Sequence, residues 1–122
     1  MAVDKITKPT MEYVHGTSVT NSVPNATVTK LRSAVLGKGM WLICAYGYYT
    51  GAIGNTRASW YILDGTSTIA QFDNNGQYGA STTLTCLLNV NSSTTVYFDA
   101  YQTSGSTQST NANSYLNCVK LY

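Results

Sequence analysis

The chain has 122 residues, of which 43% are hydrophobic and 10% are charged, and its formal net charge is +2. This length is enough for one domain with one hydrophobic core. The lysines and arginines are scattered with no run of three, so the sequence argues against nucleic-acid binding, and it contains no acidic tail.

The first 21 residues carry Lys5, Lys8 and Glu12 and contain no apolar run of the length that a signal peptide requires. No other segment is long and apolar enough for a transmembrane helix, and we expect no membrane insertion. We interpret residues 1–21 as an amino-terminal arm or a first strand, and residues 22–122 as the folded domain.

An alternation of period two, typical of β-strands, runs through much of the remaining chain. In residues 83–90 only one face is apolar, and Leu87 alone breaks the alternation. In residues 40–49, 95–101 and 115–121 both faces carry apolar or aromatic side chains. These three strands therefore need a covering surface on each side.

Glycine-containing turns separate the strand patterns. The pair Asp64-Gly65 lies between two β-patterned runs and predicts a two-residue hairpin, because both residue types tolerate positive φ. Residues 37–39 predict a second turn, just before the strand that contains Trp41. No segment has the pattern of a capped amphipathic helix. About eight short strands in one small domain predict a sandwich or jelly roll.

Three cysteines, Cys44, Cys86 and Cys118, lie far apart within apolar strand patterns. They lack the close pairing of zinc ligands, and we interpret them as buried free thiols of a protein that folds in a reducing cytoplasm. One disulfide with a leftover thiol is the alternative.

The doubly apolar strands indicate self-association. A two-sheet sandwich of this size covers one face of each sheet, so the other face needs a second subunit. Burying a large aromatic side chain contributes about 2 kcal/mol, whereas a contiguous exposed patch promotes aggregation. The alternative is that the tyrosines simply decorate a solvated sheet, since their hydroxyl groups tolerate water.

No catalytic motif is recognisable. His15 is the single histidine, and no nucleophile stands beside it, so we expect an ordinary surface residue. The five acidic residues are dispersed, and a glycine-rich phosphate loop is absent. Residues 73–77 resemble a calcium loop weakly, because they supply one carboxylate. We expect no enzymatic activity, no cofactor and no metal.

Two loop groups, residues 48–57 and 73–79, are rich in Tyr, Asn and Gly, the residue types that antibody paratopes use. An aromatic ring covers the C–H face of a sugar while amides satisfy its hydroxyls, so glycans are plausible ligands. Ordinary solvated loops are the alternative. The ligand-binding candidates are Tyr48, Tyr49, Asn55, Arg57, Asn75 and Tyr78.

Four segments together resemble the tumour-necrosis-factor and complement globular-head superfamily, in the form found at bacteriophage fibre tips. They are VPNATVTKL, GKGMWLICAYGYY, LTCLLNVNSSTTVYFDAYQTSGS and the closing SYLNCVKLY, within residues 22–122. The resemblance implies an all-β, two-sheet antiparallel jelly roll of ten strands (TNF-like) that assembles as a homotrimer. It also implies that the last strand, its predecessor and the strand of residues 40–49 surround the threefold axis.

The same resemblance assigns the trimer interface and the core of the last strand. The implied interface residues are Tyr97, Tyr101, Tyr115, Val119 and Leu121, whereas Leu116 and Cys118 face the core. Lys120 departs from the pattern, because an apolar residue is usual there, and this leaves the strand register open.

These features together predict a non-enzymatic, trimeric virion tip domain of a phage fibre or appendage. We expect it on the virion surface, folded and assembled in the host cytoplasm, bound to a host cell-surface glycan or protein receptor and joined to another virion protein through its amino terminus. The alternative is a structural capsid-decoration or trimerisation module without a ligand. A carbohydrate-active enzyme would require clustered carboxylates.

Overall fold

A computed structural model describes residues 11–51, 53–54, 56–75 and 80–122, with only the backbone of Asn74 and Asn75 included. The strands within these ranges are β1 (Tyr13–His15), β2 (Thr17–Ser18), β3 (Ser22–Val23), β4 (Thr29–Tyr48), β5 (Arg57–Asp64), β6 (Ser67–Asn75), β7 (Ser81–Gln102), β8 (Gln108–Ser109) and β9 (Tyr115–Lys120). None of the described residues forms a helix with the length and hydropathy of a membrane span.

The two longest strands, β4 and β7, form one antiparallel ribbon that extends from the Thr29–Ala100 pair to the Tyr48–Ser81 pair. The predicted turn at residues 37–39 is a bend within this ribbon, because pairing continues on both sides of a register shift there. Gly39 has φ 148°, which favours glycine, and the Trp41 indole N–H donates to the Gly37 carbonyl over 2.9 Å. Two long bent strands therefore replace four of the predicted short ones.

The bend divides the structure into two layers. Sheet I contains β1, β9, the carboxyl-terminal half of β4 and the amino-terminal half of β7. Sheet II contains β2, the other halves of β4 and β7, β5 and β6. A separate two-stranded sheet joins β3 to β8. All of these pairings are antiparallel.

Residues 95–101 lie in sheet II, which corrects their predicted place beside the last strand. The strand that shares sheet I with β9 and the second half of β4 is the amino-terminal half of β7. The β4–β7 ribbon bends once, so the two halves of β7 necessarily lie in opposite layers. An alternating pattern shows on which side of a strand a residue lies. It does not show to which of the two sheets the strand belongs.

Residues 13–18 pair with both layers, β1 with β9 and β2 with β4. The chain crosses from one sheet to the other at Gly16, whose N–H donates to the Leu116 carbonyl over 2.6 Å. This part of the predicted arm or first strand therefore lies in the sandwich, and residues 1–10 lie outside the described ranges.

The core lies between the layers. Gly47 of sheet I faces Trp60 and Phe98 of sheet II, whose rings stack with centroids 5.6 Å apart. The Tyr49 ring also packs on Trp60, with their centroids 5.0 Å apart. The predicted inward residues Leu116 and Cys118 are buried, as are Trp41, Ile43, Ala45, Leu84, Val90, Val96 and Ala100. Alternation thus separated the two faces of each strand correctly, and the inward assignment of Leu116 and Cys118, which came from the resemblance, is confirmed.

The three cysteines are all free, so the predicted free thiols are confirmed. Cys118 is buried, and Cys44 and Cys86 are half-buried. Burial raises the pKa of the Cys118 thiol to about 12, which keeps it protonated and unreactive at neutral pH.

Gly47→Ala is expected to lower the free energy of unfolding by about 1–3 kcal/mol, the usual effect of overpacking a core. A Cβ there would lie 2.7 Å from Trp60 and 2.9 Å from Phe98, two fully buried rings. Gly37→Ala is the matched control, because a Cβ there meets no described atom within 4 Å. Urea unfolding measures the free energy of unfolding of both variants, and an equal decrease in the two would contradict this packing.

Candidate functional site

The outward side of sheet I carries a surface rich in aromatic and aliphatic side chains. Its centre is Tyr46, whose ring centroid lies 5.5 Å from that of Tyr48 and 5.7 Å from that of Tyr115. The strand registers place further apolar side chains beside these rings. We call this surface the tyrosine face; it comprises Tyr13, Leu42, Tyr46, Tyr48, Leu87, Tyr115 and Val119.

Several members of the tyrosine face are strongly exposed in the isolated chain. Leu87 is 62% exposed, Tyr13 is 58% exposed and Tyr115 is 39% exposed. Leu87 lies directly opposite Leu42 on the neighbouring strand, so the exposed groups adjoin half-buried ones. Clusters of exposed apolar side chains are typical of interaction sites.

A row of polar groups, from His15 through Asn117 to Thr85, crosses the tyrosine face between its aliphatic members and the rings of Tyr46 and Tyr115. His15 is exposed on β1, and its Nδ1 lies 2.9 Å from the Asn117 side-chain oxygen. Thr83 and Thr85 lie on the same side of β7. The tyrosine face therefore combines apolar and polar side chains, as protein–protein interfaces commonly do.

The predicted interface residues divide between the two layers. Tyr115 and Val119 lie on the tyrosine face, and Leu121 follows β9, 38% exposed, with its N–H bonded to the Met40 carbonyl. Tyr97 and Tyr101 instead lie on the outward side of sheet II. The five residues therefore form two surfaces, because their strands belong to opposite layers.

Sequence reasoning did not assign Tyr13, Leu42, Tyr46 and Leu87 to the interface. The available signal was alternation: Leu42 and Tyr46 share the non-core parity of their strand, and Leu87 is the apolar exception on a face of Thr and Asn. Tyr48, predicted as a ligand contact, belongs to this surface through its contact with Tyr46.

The predicted ligand-binding loops are only partly described. Asn55 and Tyr78 lie outside the described residues, and so does the Asn75 side chain. Tyr49 is 6% exposed, and burial raises the pKa of its hydroxyl well above its usual range. Its ring packs on Trp60. This corrects its predicted position at the recognition surface, because its side chain belongs to the core.

Arg57 is exposed and forms a two-pronged ion pair with Asp73. Its Nε and Nη2 each lie 3.1 Å from a different carboxylate oxygen of Asp73. The Ser59 hydroxyl donates to the same carboxylate over 2.6 Å. The hydrogen bonds from Arg57 and Ser59 lower the pKa of Asp73, and this carboxylate raises the pKa of Arg57. The arrangement fixes the direction of the Arg57 side chain.

A cleft of about 600 Å³ lies where the ribbon bends, between Lys38, Met40, Asn89 and Lys120. Lys120 has the core-facing parity of β9 and lies opposite Trp41. Its Nζ nevertheless lies 3.5 Å from the Glu12 carboxylate at the sheet edge. The lysine that departs from the apolar pattern is therefore accommodated at the end of its strand.

The described part of the chain brings together no three His, Cys, Asp or Glu side chains that could hold a metal ion. Its acidic side chains each have their own partner: Glu12 pairs with Lys120, Asp73 with Arg57, Asp99 with Lys30, and Asp64 accepts from the Thr94 hydroxyl.

Comparison with solved structures identifies the fold. Murine APRIL, a TNF-family jelly roll, has a TM-score of 0.62 and 11% identity over 91% of this chain and 99% of its own. The VP2 subviral particle of infectious bursal disease virus has a TM-score of 0.62 and 9% identity over 100% of this chain and 37% of that chain. The Gt strain of that virus has a TM-score of 0.58 and 11% identity over 98% and 37%.

These identities show the fold alone, which is an all-β, antiparallel, TNF-like jelly roll. The predicted all-β, antiparallel, TNF-like jelly roll is thereby confirmed, and its assembly as a homotrimer stays a prediction. The chain spans just over a third of the viral chains, 37%, and almost the whole of murine APRIL, 99%. The sequence matches no protein-family model and no curated protein.

Proposed function

We propose that this chain is a non-enzymatic virion-surface domain that assembles as a homotrimer through the tyrosine face and attaches the particle to a host cell. The observation that carries the proposal is the exposed apolar surface of sheet I, centred on Tyr46, in a jelly roll of TNF-like form. Three copies around an axis would remove Leu87 and Tyr115 from water together, and burial of each contributes about 2 kcal/mol.

Two observations support the proposal that the domain lies on the surface of a virion. A capsid protein, VP2 of infectious bursal disease virus, is among the proteins with a similar fold. All three thiols are free, as expected of a protein that folds and assembles in the host cytoplasm before release. In this proposal the amino-terminal segment joins another virion protein of a phage fibre or appendage, and the opposite surfaces contact a host glycan or protein.

A structural module without a ligand is the second candidate. The position of Tyr49 in the core and of Tyr48 on the tyrosine face favours it, because both side chains are then withdrawn from the predicted recognition loop. Such a module would decorate a capsid or hold three copies of a longer chain together.

Binding by the intact assembled protein separates the two candidates. We expect fluorescently labelled protein to bind saturably to at least one member of a panel of bacterial cells, or to a glycan array. Retention by another virion protein, with no binding to any cell or glycan, would contradict attachment and support the structural module. The control is a labelled sample that a substitution on the tyrosine face keeps monomeric. It should bind more weakly, because a trimer contacts the cell through several sites at once.

A further inference from the structure

The outward side of sheet II carries a second cluster of tyrosines, arranged around one carboxylate. Asp99 lies on β7, with Tyr97 and Tyr101 two residues before and after it on the same side of the strand. Tyr61 of β5 and Lys30 of β4 are its direct neighbours across the sheet. We call the surface formed by these five side chains the Asp99 platform.

Asp99 is buried although it belongs to an outward face, because its four neighbours cover it; it is 1% exposed. One carboxylate oxygen, Oδ2, lies 3.5 Å from Lys30 Nζ. The other, Oδ1, is buried and accepts no hydrogen bond from the part of the protein that the structure describes. Burial raises the pKa of Asp99, opposed by Lys30. A buried acceptor without a donor is unfavourable, and a ligand hydroxyl would satisfy it.

Cations lie on two of the tyrosine rings. Lys30 Nζ lies 3.9 Å from the Tyr97 ring centroid, and its side chain is 44% exposed. Arg57 lies 5.3 Å from the Tyr101 ring centroid and is held there by Asp73. Lys30 is held less tightly than Arg57, because among the described residues its ammonium contacts one carboxylate oxygen at 3.5 Å, whereas Arg57 contacts two at 3.1 Å.

The charge of this surface narrows the class of ligand. Lys30 is paired with Asp99, and Arg57 with Asp73, so the surface has no net charge and does not favour a polyanion such as nucleic acid. Among the described residues no further carboxylate joins Asp99 in a metal-binding group. Aromatic rings beside a hydrogen-bond acceptor suit a ligand that has apolar C–H faces and hydroxyl donors.

We propose that the Asp99 platform binds a neutral pyranose of a glycan chain. The sugar takes the place of the Lys30 ammonium over the Tyr97 ring, the departure of Lys30 uncovers the buried Asp99 carboxylate, and one hydroxyl of the sugar then donates to Asp99 Oδ1. The released Lys30 and the fixed Arg57 donate to the hydroxyls and ring oxygens of this sugar and the next. The inference rests on the proposed function, in which a host glycan is the receptor, and it places the sugar on sheet II and not in the loops of residues 48–57 and 73–79.

Binding to a glycan array of neutral glucose-, galactose- and N-acetylglucosamine-terminated oligosaccharides, with sialylated ones beside them, tests the platform. We expect the intact protein to bind neutral members and Tyr97→Ala to lose at least tenfold in apparent affinity. Tyr97→Phe retains the ring and should retain binding. Val35→Ala, at a residue 66% exposed on the same side of sheet II, is the control and should also retain binding.

Chemical modification of the tyrosines in the unsubstituted protein tests the platform independently of whether Tyr97→Ala folds. Bound neutral oligosaccharide should protect Tyr61, Tyr97 and Tyr101 from nitration, read by mass spectrometry, and leave the rate at Tyr122 unchanged. Neutral-glycan binding without this protection, or unaffected by Tyr97→Ala, would overturn the platform and leave attachment intact. Cell binding with no glycan binding would overturn the sugar assignment alone. Absence of both would overturn the platform and the attachment function together.

Discussion

Leu87→Asp is expected to convert the assembled protein into monomers. Leu87 is 62% exposed on the tyrosine face and lies opposite Leu42, so in an assembly that buries this face the new carboxylate would be placed in an apolar interface. Burying an unpaired charge is costly enough to cancel the burial of several side chains. The monomer itself should keep its fold, because in the isolated chain the carboxylate points into water.

Val35→Asp is the matched control for this prediction. Val35 is 66% exposed on the outward side of sheet II, so both substitutions exchange an exposed aliphatic side chain in a strand for the same carboxylate. Sedimentation velocity at micromolar concentration should show dissociation of Leu87→Asp and an unchanged mass for Val35→Asp. Dissociation by both, or by Val35→Asp alone, would contradict the assignment of the interface to sheet I.

Arg32→Lys is expected to destabilise the monomer by about 3 kcal/mol, the order expected for losing two or more hydrogen bonds from a charged group. Arg32 is 3% exposed, and its guanidinium donates to the carbonyls of Ser114 at 3.0 Å, Leu31 at 2.8 Å, Ala112 at 3.2 Å and Thr20 at 3.3 Å. It thereby ties the segments before β3 and β9 to β4. Burial lowers the pKa of this guanidinium, which nevertheless stays charged.

Lysine in place of Arg32 keeps the positive charge but lacks the planar guanidinium, which donates hydrogen bonds to several carbonyls at once. Arg57→Lys is the control, because Arg57 is exposed and a water-solvated ammonium can replace its contact with Asp73. Thermal unfolding should show a large decrease in the melting temperature for Arg32→Lys and a small decrease for Arg57→Lys. Equal changes would contradict the structural role of Arg32.

The sequence predicted those features that depend on the parity of side chains along a strand. Alternation placed Leu116 and Cys118 on one face of their strand, the resemblance assigned that face to the core, and the hairpin at Asp64 followed from its turn residues. In that hairpin Asp64 pairs with Ser67, and Gly65 alone takes a positive φ, 62°. The turn chemistry therefore identified the hairpin but placed its tip one residue early.

Features that depend on the path of the whole chain were less predictable. A strand of 20 residues that bends at Gly39 and continues looks, in sequence, like two strands joined by a turn. This is why Tyr97 and Tyr101 were grouped with Tyr115, although they lie on the opposite layer. The burial of Arg32 has no sequence signal either, because its partners are backbone carbonyls of distant segments.

The sequence predicted that an outward aromatic surface exists, but not which residues form it. Aromatic side chains on the non-core parity of residues 40–49 indicated a surface that needs cover, and Leu87 was visible as an apolar residue among Thr and Asn. Which strands lie side by side decides which of these side chains form one surface. That information resides in the register of β9 and β7 against β4.

Sedimentation equilibrium of the unsubstituted chain tests the central claim most directly, namely that copies of the protein bury the tyrosine face against one another. We expect a solution mass of about three times the 13.2 kDa of one chain, constant over the micromolar range. A mass of one chain at every concentration would contradict it.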